Sequence, residues 1–250
     1  MASSSFDVAL ESLLADWEPR IGRPTCGPGC SRCCERMTVI ISSAEALRLL
    51  DHIGDNSDLR NEWQRRAATL RAAPHDDPVE SQNALIDLGP CTFLNDEGSC
   101  GIYEARPDAC RACNVWHAAD HCGREDYDMC TPAELNALRV DRIHGLMLEE
   151  LDLGRRPFWG QLLPMVVSVD EHRDRYTAGD DLADTVDQNW LQSELIEFPA
   201  RQGTPSDIRI FLETERERLK QLFGAEENPM GYPRCADAPD RDFLAAFPLD

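Results

Sequence analysis

Ten of the chain's eleven cysteines fall between residues 26 and 130, and four of them crowd into Cys26-Gly-Pro-Gly-Cys30-Ser-Arg-Cys33-Cys34. A Gly/Pro turn has no apolar periodicity, so these four do not form one face of a core helix, the ordinary place of a buried free cysteine. Two further blocks follow: Pro90-Cys91-Thr-Phe-Leu94 with Gly98-Ser-Cys100-Gly-Ile-Tyr103, then Arg106-Pro107-Asp-Ala-Cys110-Arg111-Ala-Cys113. Thiols drawn from three distant segments are either paired as disulfides or collected by a metal. The odd count fits disulfides poorly. The opening MASSSFDVALESLLADWEPR also lacks the basic start and unbroken apolar core of a signal peptide. A cytoplasmic location is therefore expected, where thiols stay reduced and clustered cysteines bind metal.

Local chemistry supports convergence. Gly-Pro-Gly makes a tight turn between Cys26 and Cys30. Cys30, Cys33 and Cys34 stand at i, i+3 and i+4, one face of a helix if the turn runs into one. Adjacent Cys33 and Cys34 tend to point apart and can serve different centres. Residues 91–103 read as a hairpin around Asn95-Asp96-Glu97-Gly98. Pairing Leu94 with Ser99 would set Cys91 and Cys100 as diagonal neighbours, roughly 7 Å apart. Pro107 suits a first helical position, which places Cys110 in a first turn, where the helix dipole favours a thiolate. Arg23, Arg32, Arg36, Arg106 and Arg111 lie beside the cysteines of a chain whose net charge is −21. Arg106 and Arg111 are expected near the thiolates, offsetting their charge. Cys110-x2-Cys113-x3-His117, with His121 beyond, is a second spacing able to hold zinc. Cys122, Cys130 and Cys235 carry no such spacing.

The rest of the chain reads as helices. Phe6, Leu10, Leu13, Leu14 and Trp17 make an apolar face that Pro19 stops. Ser42-x-x-Glu45 is a capping box opening a helix to about residue 53. A second helix covers roughly 57–72, and 74–83 read as loop. Thr131-Pro132-Ala133-Glu134 is another capping box, followed by Leu135, Leu138, Ile143, Leu146, Met147 and Leu151 on one face. Thr204-Pro205-Ser206-Asp207 opens a last helix to about Leu222. Trp116, Trp159 and Trp190 are read as core. The expected fold is mainly α with a small β-hairpin: residues 1–20 an N-terminal helix, 21–125 a cysteine-cluster metal-binding domain, and 126–250 a helical C-terminal region.

Composition narrows the function. With 46 acidic against 25 basic residues, binding to nucleic acid or an anionic membrane is not expected. No run of 18 apolar residues offers a membrane span. Dinucleotide, P-loop and G-x-S-x-G signatures are missing from the sequence. Cys26-x3-Cys30-x2-Cys33 has the spacing of radical S-adenosylmethionine enzymes, but Arg32 stands where an aromatic is usual and no series of βα units follows.

The blocks C-x3-C-x2-C-C, P-C-x-F-L and G-x-C-x-I-Y-x-x-R-P-x-x-C-R resemble the CxxCxxCC cysteine-cluster family of zinc- or iron-chelating domains over about residues 21–115. This chain has one extra residue between Cys26 and Cys30. Flagellin lysine N-methylases are similar over the same stretch, which implies an S-adenosylmethionine-dependent activity and an iron–sulfur cluster. The ligand pool is Cys26, Cys30, Cys33, Cys34, Cys91, Cys100 and Cys110. A metal ion or cluster is the expected partner. Zinc takes four ligands per site, so this pool could build two sites. A [4Fe–4S] cluster takes four and leaves others over. Two functions fit: an iron–sulfur protein, extended by the resemblance to methyl transfer, or a zinc-stapled binding module without catalysis.

Overall fold

The computed structural model describes residues 5–24, 26–27, 29–36, 39–73, 78–114, 133–186 and 204–224. His117, His121, Cys122, Cys130, Cys235, Trp116, Trp190 and the start of the Thr131 capping box lie outside the described residues.

The fold is mainly α with one small antiparallel pair of strands. Helix α1 (Ser5–Ile21) buries Phe6, Leu10 and Trp17. It runs two residues past Pro19, further than the sequence reading allowed. The proline costs its own backbone bond, but Gly22 N–H still donates to Glu18 O at 3.0 Å and closes the last turn. Gly22 then ends the helix at φ 79°, in the left-handed region that favours glycine. A one-turn helix, α2 (Arg32–Arg36), carries Cys33 and Cys34. Strand β1 (Ile40–Ser42) leads into α3 (Ser43–Ile53), then α4 (Ser57–Arg71) and α5 (Pro78–Asp87). Helix α5 replaces part of the loop expected at 74–83, with Pro78 at its first position, where the missing N–H costs nothing.

A 3₁₀ turn at Tyr103–Ala105 and the short α6 (Asp108–Arg111) close the cysteine-bearing segment. Helix α7 (Ala133–Asp152), strand β2 (Trp159–Gln161), α8 (Leu162–Glu171), α9 (Arg173–Thr177) and α10 (Pro205–Gly224) follow. The strand pair joins β1 to β2, with Ile40 opposite Gln161 and Ser42 opposite Trp159. At 91–103, where strands were expected, the chain folds as turns closed by a single bridge between Leu94 and Cys100.

Both ends of the chain build the main core. Leu49 and Leu50 of α3, Trp63 and Ala67 of α4, and Phe93 and Ile102 of the cysteine segment meet Met147 of α7, Met165 and Val167 of α8, and Leu212 of α10. Tyr176 belongs to this core. Its hydroxyl donates to Glu150 Oε1 at 2.6 Å and lies 3.1 Å from Ser43 Oγ, so it ties α9 to α7 and α3. A second apolar cluster packs Phe6, Leu10 and Trp17 against Ala112 and Leu135. The cysteine segment is thus wedged between α1, α3 and α7. Among the described residues, no helix is long and apolar enough to cross a membrane.

Candidate metal centre

Backbone hydrogen bonds position the first two cysteine blocks. Cys30 N–H donates to Gly27 O at 3.0 Å, and Gly29 takes φ 88°, which turns the chain into α2. Ser31 holds the start of that helix: its Oγ donates to Glu35 Oε1 at 2.7 Å, and Glu35 N–H donates to Ser31 O at 3.0 Å. Cys91 N–H donates to Cys34 O at 2.7 Å and stitches the second block onto the first. Within that block Asn95 N–H donates to Ser99 O and Gly101 N–H to Phe93 O, so Leu94 faces Cys100 and not Ser99. Gly101 suits this close approach, because a Cβ would stand a tight 3.3 Å from Phe93 O.

The third block is fixed from outside. Glu45 of α3 accepts from Ser42 N–H at 2.9 Å through Oε2, as the capping box predicts. Its other oxygen, Oε1, accepts the N–H of Asp108 at 2.9 Å, the first residue of α6. The Asp108 carboxylate in turn receives Arg142 Nε of α7 at 2.7 Å and Arg48 Nη2 of α3 at 3.2 Å. Cys110 therefore rests on a short helix clamped by α3 and α7. Burial first, then the neighbouring Asp108 charge, raises the Glu45 carboxyl above its ordinary range.

Six thiols share one electrostatic neighbourhood. The neighbouring thiols of Cys113 and then Cys34 pull the Cys33 thiol well below its ordinary range. Cys34 is pushed up, chiefly by Cys33 and then by burial. It also senses Cys91 and Cys110. Burial raises Cys91 and Cys110, and both feel Cys33 and Cys100. Thiols pressed together like this cannot all ionise unaided. A bound cation would remove that penalty, since coordination replaces the protons. Cys26 and Cys30 are half-buried on the turn entering α2. Among the described residues, no three Cys, His, Asp or Glu side chains are set as a metal-binding group.

Of the two arginines expected near the thiolates, Arg106 fits. Its guanidinium lies 3.9 Å over the Tyr103 ring, and its charge opposes the rise at Cys110. Arg111 does not fit. It pairs with Asp7 of α1 at 2.7 Å and donates to the carbonyls of Arg106 and Glu104. Arg23 and Arg32 pair with Glu18 and Glu35, and the Arg36 side chain is outside the described set. The sequence reading missed Arg66. From α4 it donates to Pro90 O at 2.5 Å, and its charge favours ionised Cys91. A helix-borne arginine 25 positions upstream of that cysteine carries no sequence signal for this role.

The donor set is chemically uniform. Soft thiolates suit zinc, iron–sulfur clusters and copper(I), and fit poorly to magnesium or calcium. Residues 25–131 match the CxxCxxCC family, described as "Putative zinc- or iron-chelating domain". The match covers the three cysteine blocks and supports metal chelation. No curated protein and no solved structure matches the chain.

Proposed function

We propose that the CxxCxxCC domain of this chain holds a [4Fe–4S] cluster, with Cys26, Cys30, Cys33, Cys34, Cys91, Cys100 and Cys110 as the pool of ligands. The observation that carries this reading is the gathering of thiols from three segments around Cys33. A [4Fe–4S] cluster takes four thiolates, as one zinc does, and a crowded, soft donor set drawn from separate segments suits its larger frame. When bound, such a cluster supplies one-electron chemistry and a cross-link between the segments. The protein's own residues do the rest. The thiolates hold it, Arg106 and Arg66 offset their charge, and Glu45 with Arg142 fixes the helix that presents Cys110.

Anaerobic purification tests the proposal. Brown protein with broad absorbance near ~400 nm and matching iron and acid-labile sulfide supports the cluster. Colourless protein with stoichiometric zinc would replace it by a zinc-stapled binding module, in which the metal only ties segments together. The resemblance to lysine N-methylases extends the reading to methyl transfer. Equilibrium binding of S-adenosylmethionine to the full chain tests that extension, and failure to bind removes it while leaving the metal reading intact.

A further inference from the structure

We infer that Cys34 and Cys91 close into a reversible disulfide when hydrogen peroxide reaches the metal-free protein, a redox switch that withdraws both sulfurs from the metal. The bond itself does not depend on the metal-binding reading above; its competition with the metal rests on that reading. The first observation is a backbone contact between the first and second cysteine blocks. Cys91 N–H donates to Cys34 O at 2.7 Å. A hydrogen bond of this length sets the two Cα atoms about 5–6 Å apart, inside the roughly 4.4–6.8 Å that a disulfide spans. The second observation is how the two blocks face each other. Glu35 N–H closes on Ser31 O at 3.0 Å, so the turn of α2 begins at Ser31. Ser31 and Cys34, three apart in that turn, lie on one side of it. A Cβ placed on Gly98 would stand 4.0 Å from Ser31 Oγ, so that side looks onto the turn that follows Cys91. The Cys34 thiol therefore leaves α2 toward the second block.

Both thiols are free and half-buried, within reach of a small oxidant. Other pairings are worse placed. Cys33 neighbours Cys34 in the chain, with Cα atoms only about 3.8 Å apart, below the disulfide range. Cys100 is bridged to Leu94, three residues beyond Cys91. Cys110 and Cys113 stand in one helical turn, with Cys113 N–H donating to Cys110 O at 3.3 Å. Cβ atoms so placed lie about 5–6 Å apart, against the roughly 3.5–4.5 Å that a disulfide needs.

One thiolate attacks hydrogen peroxide, the O–O bond breaks, and that sulfur becomes a sulfenic acid as one water leaves. The second thiolate displaces the hydroxyl: the S–S bond forms, the S–O bond breaks and a second water leaves. The two sulfurs give two electrons to the peroxide, and both thiol protons end in the waters. Two molecules of an external thiol reverse the bond by thiol–disulfide exchange. A metal ligand must be a thiolate, so disulfide and metal compete for these two residues.

The test uses the full chain, reduced and anaerobic, either metal-free or loaded with zinc. Each sample is treated with hydrogen peroxide, alkylated and digested without reductant, and cross-linked peptides are located by mass spectrometry. A Cys34–Cys91 cross-link that dithiothreitol removes is the main product expected from metal-free protein. Zinc loaded beforehand should cut its yield several-fold. Oxidised protein should bind zinc at least ~10-fold more weakly than reduced protein, the scale of losing even a supporting contact. In Cys91→Ser the oxidised Cys34 should remain a sulfenic acid that dimedone traps. Cys34 linked mainly to another cysteine overturns the inference, as do both residues carried to sulfinic acid without a cross-link. Cross-linked protein that binds zinc as tightly as reduced protein also overturns it and leaves the proposed function standing. Reduced protein that binds neither zinc nor an iron–sulfur cluster overturns the proposed function, and the competition with it, whether or not the cross-link forms.

Discussion

Glu45 accepts the backbone N–H of Asp108 at 2.9 Å, so one carboxylate caps α3 and also holds the start of the helix that presents Cys110. Both N–H groups it satisfies belong to buried residues. Glu45→Ala leaves them without partners. It is expected to cost about 2 kcal/mol, the usual penalty for orphaned buried donors. A urea midpoint and metal retention should fall together. A midpoint equal to wild type would mean that solvent or another side chain serves both donors.

Arg142 makes the complementary contact from α7. Its Nε lies 2.7 Å from Asp108 Oδ2, with both side chains largely buried. Removing one partner of such a pair strands the other charge, and Arg48 is left as a partly exposed substitute. Arg142→Ala should therefore destabilise the protein by about 3 kcal/mol, at the low end for breaking a buried pair. Arg142→Lys should recover only part of this, since a point charge replaces a directed guanidinium. Thermal unfolding of the three proteins measures it, and equal melting of alanine variant and wild type would refute the clamp.

The pattern of what could be read in advance follows from range. Helix starts are local, so the Ser42–Glu45 capping box and the helix opening at Thr204-Pro205-Ser206-Asp207 are legible, and both form. The apolar faces of α1 and α7 are also local and bury as spaced. Helix α8 escapes because Leu162–Val169 is apolar on every side. A helix buried all round has no amphipathic period. Strands β1 and β2 are three residues each, too short for alternation to register. The clustering of cysteines announces a site, while the supports of that site do not announce themselves. Glu45, Arg66 and Arg142 are ordinary helix residues until the fold brings them to Asp108 and Pro90.

The proposed ligation would separate the cysteines into two groups. Cys33→Ser or Cys34→Ser should lower metal content and weaken the folding of the cysteine segment, because a metal held as proposed would join three blocks of chain. Cys235→Ser should do neither. Metal analysis of anaerobically purified variants decides it. Equal losses from Cys33→Ser and Cys235→Ser would defeat the assignment.

His144 sets a pH dependence. It is buried on α7, its Nδ1 has no hydrogen-bond partner among the described residues, and among these Arg216, Glu215 and Asp141 are charges that face it. Burial first, then Arg216, lowers its pKa below the ordinary 6.5. A depressed folded pKa stabilises the neutral form. The contribution is fully present above 6.5 and is lost as pH falls through the lowered value. Stability of the wild type should therefore decline on acidification from pH 7, and His144→Asn should flatten that part of the curve. Denaturant midpoints at a series of pH values measure it. Identical slopes for the two proteins would remove His144 as the cause.

Loss of the metal should loosen the thiol-bearing segments and spare the helices that pack without them. The reason is that metal-binding energy becomes folding energy only for chain the metal ties. The thiol-bearing stretches have only turns and one-turn helices of their own, although Phe93 and Ile102 reach the main core and Asp108 is clamped by Glu45 and Arg142. Helix α8 instead buries Met165, Val166, Val167 and Val169, each contributing about 2 kcal/mol by leaving water. Helices α3, α4, α7 and α10 share that core, and ion pairs such as Arg60 with Asp170 and Arg216 with Asp141 tie them further. We propose that the boundary between what loosens and what persists follows the cysteine blocks, so that α3 and α4 stay with the later helices although they lie early in the chain. Hydrogen exchange on metal-loaded and metal-free protein should show protection lost at 26–36 and 91–113 and retained at Leu49, Trp63, Val167 and Leu212. Uniform loss across all described residues would make the protein one cooperative unit that the metal holds together.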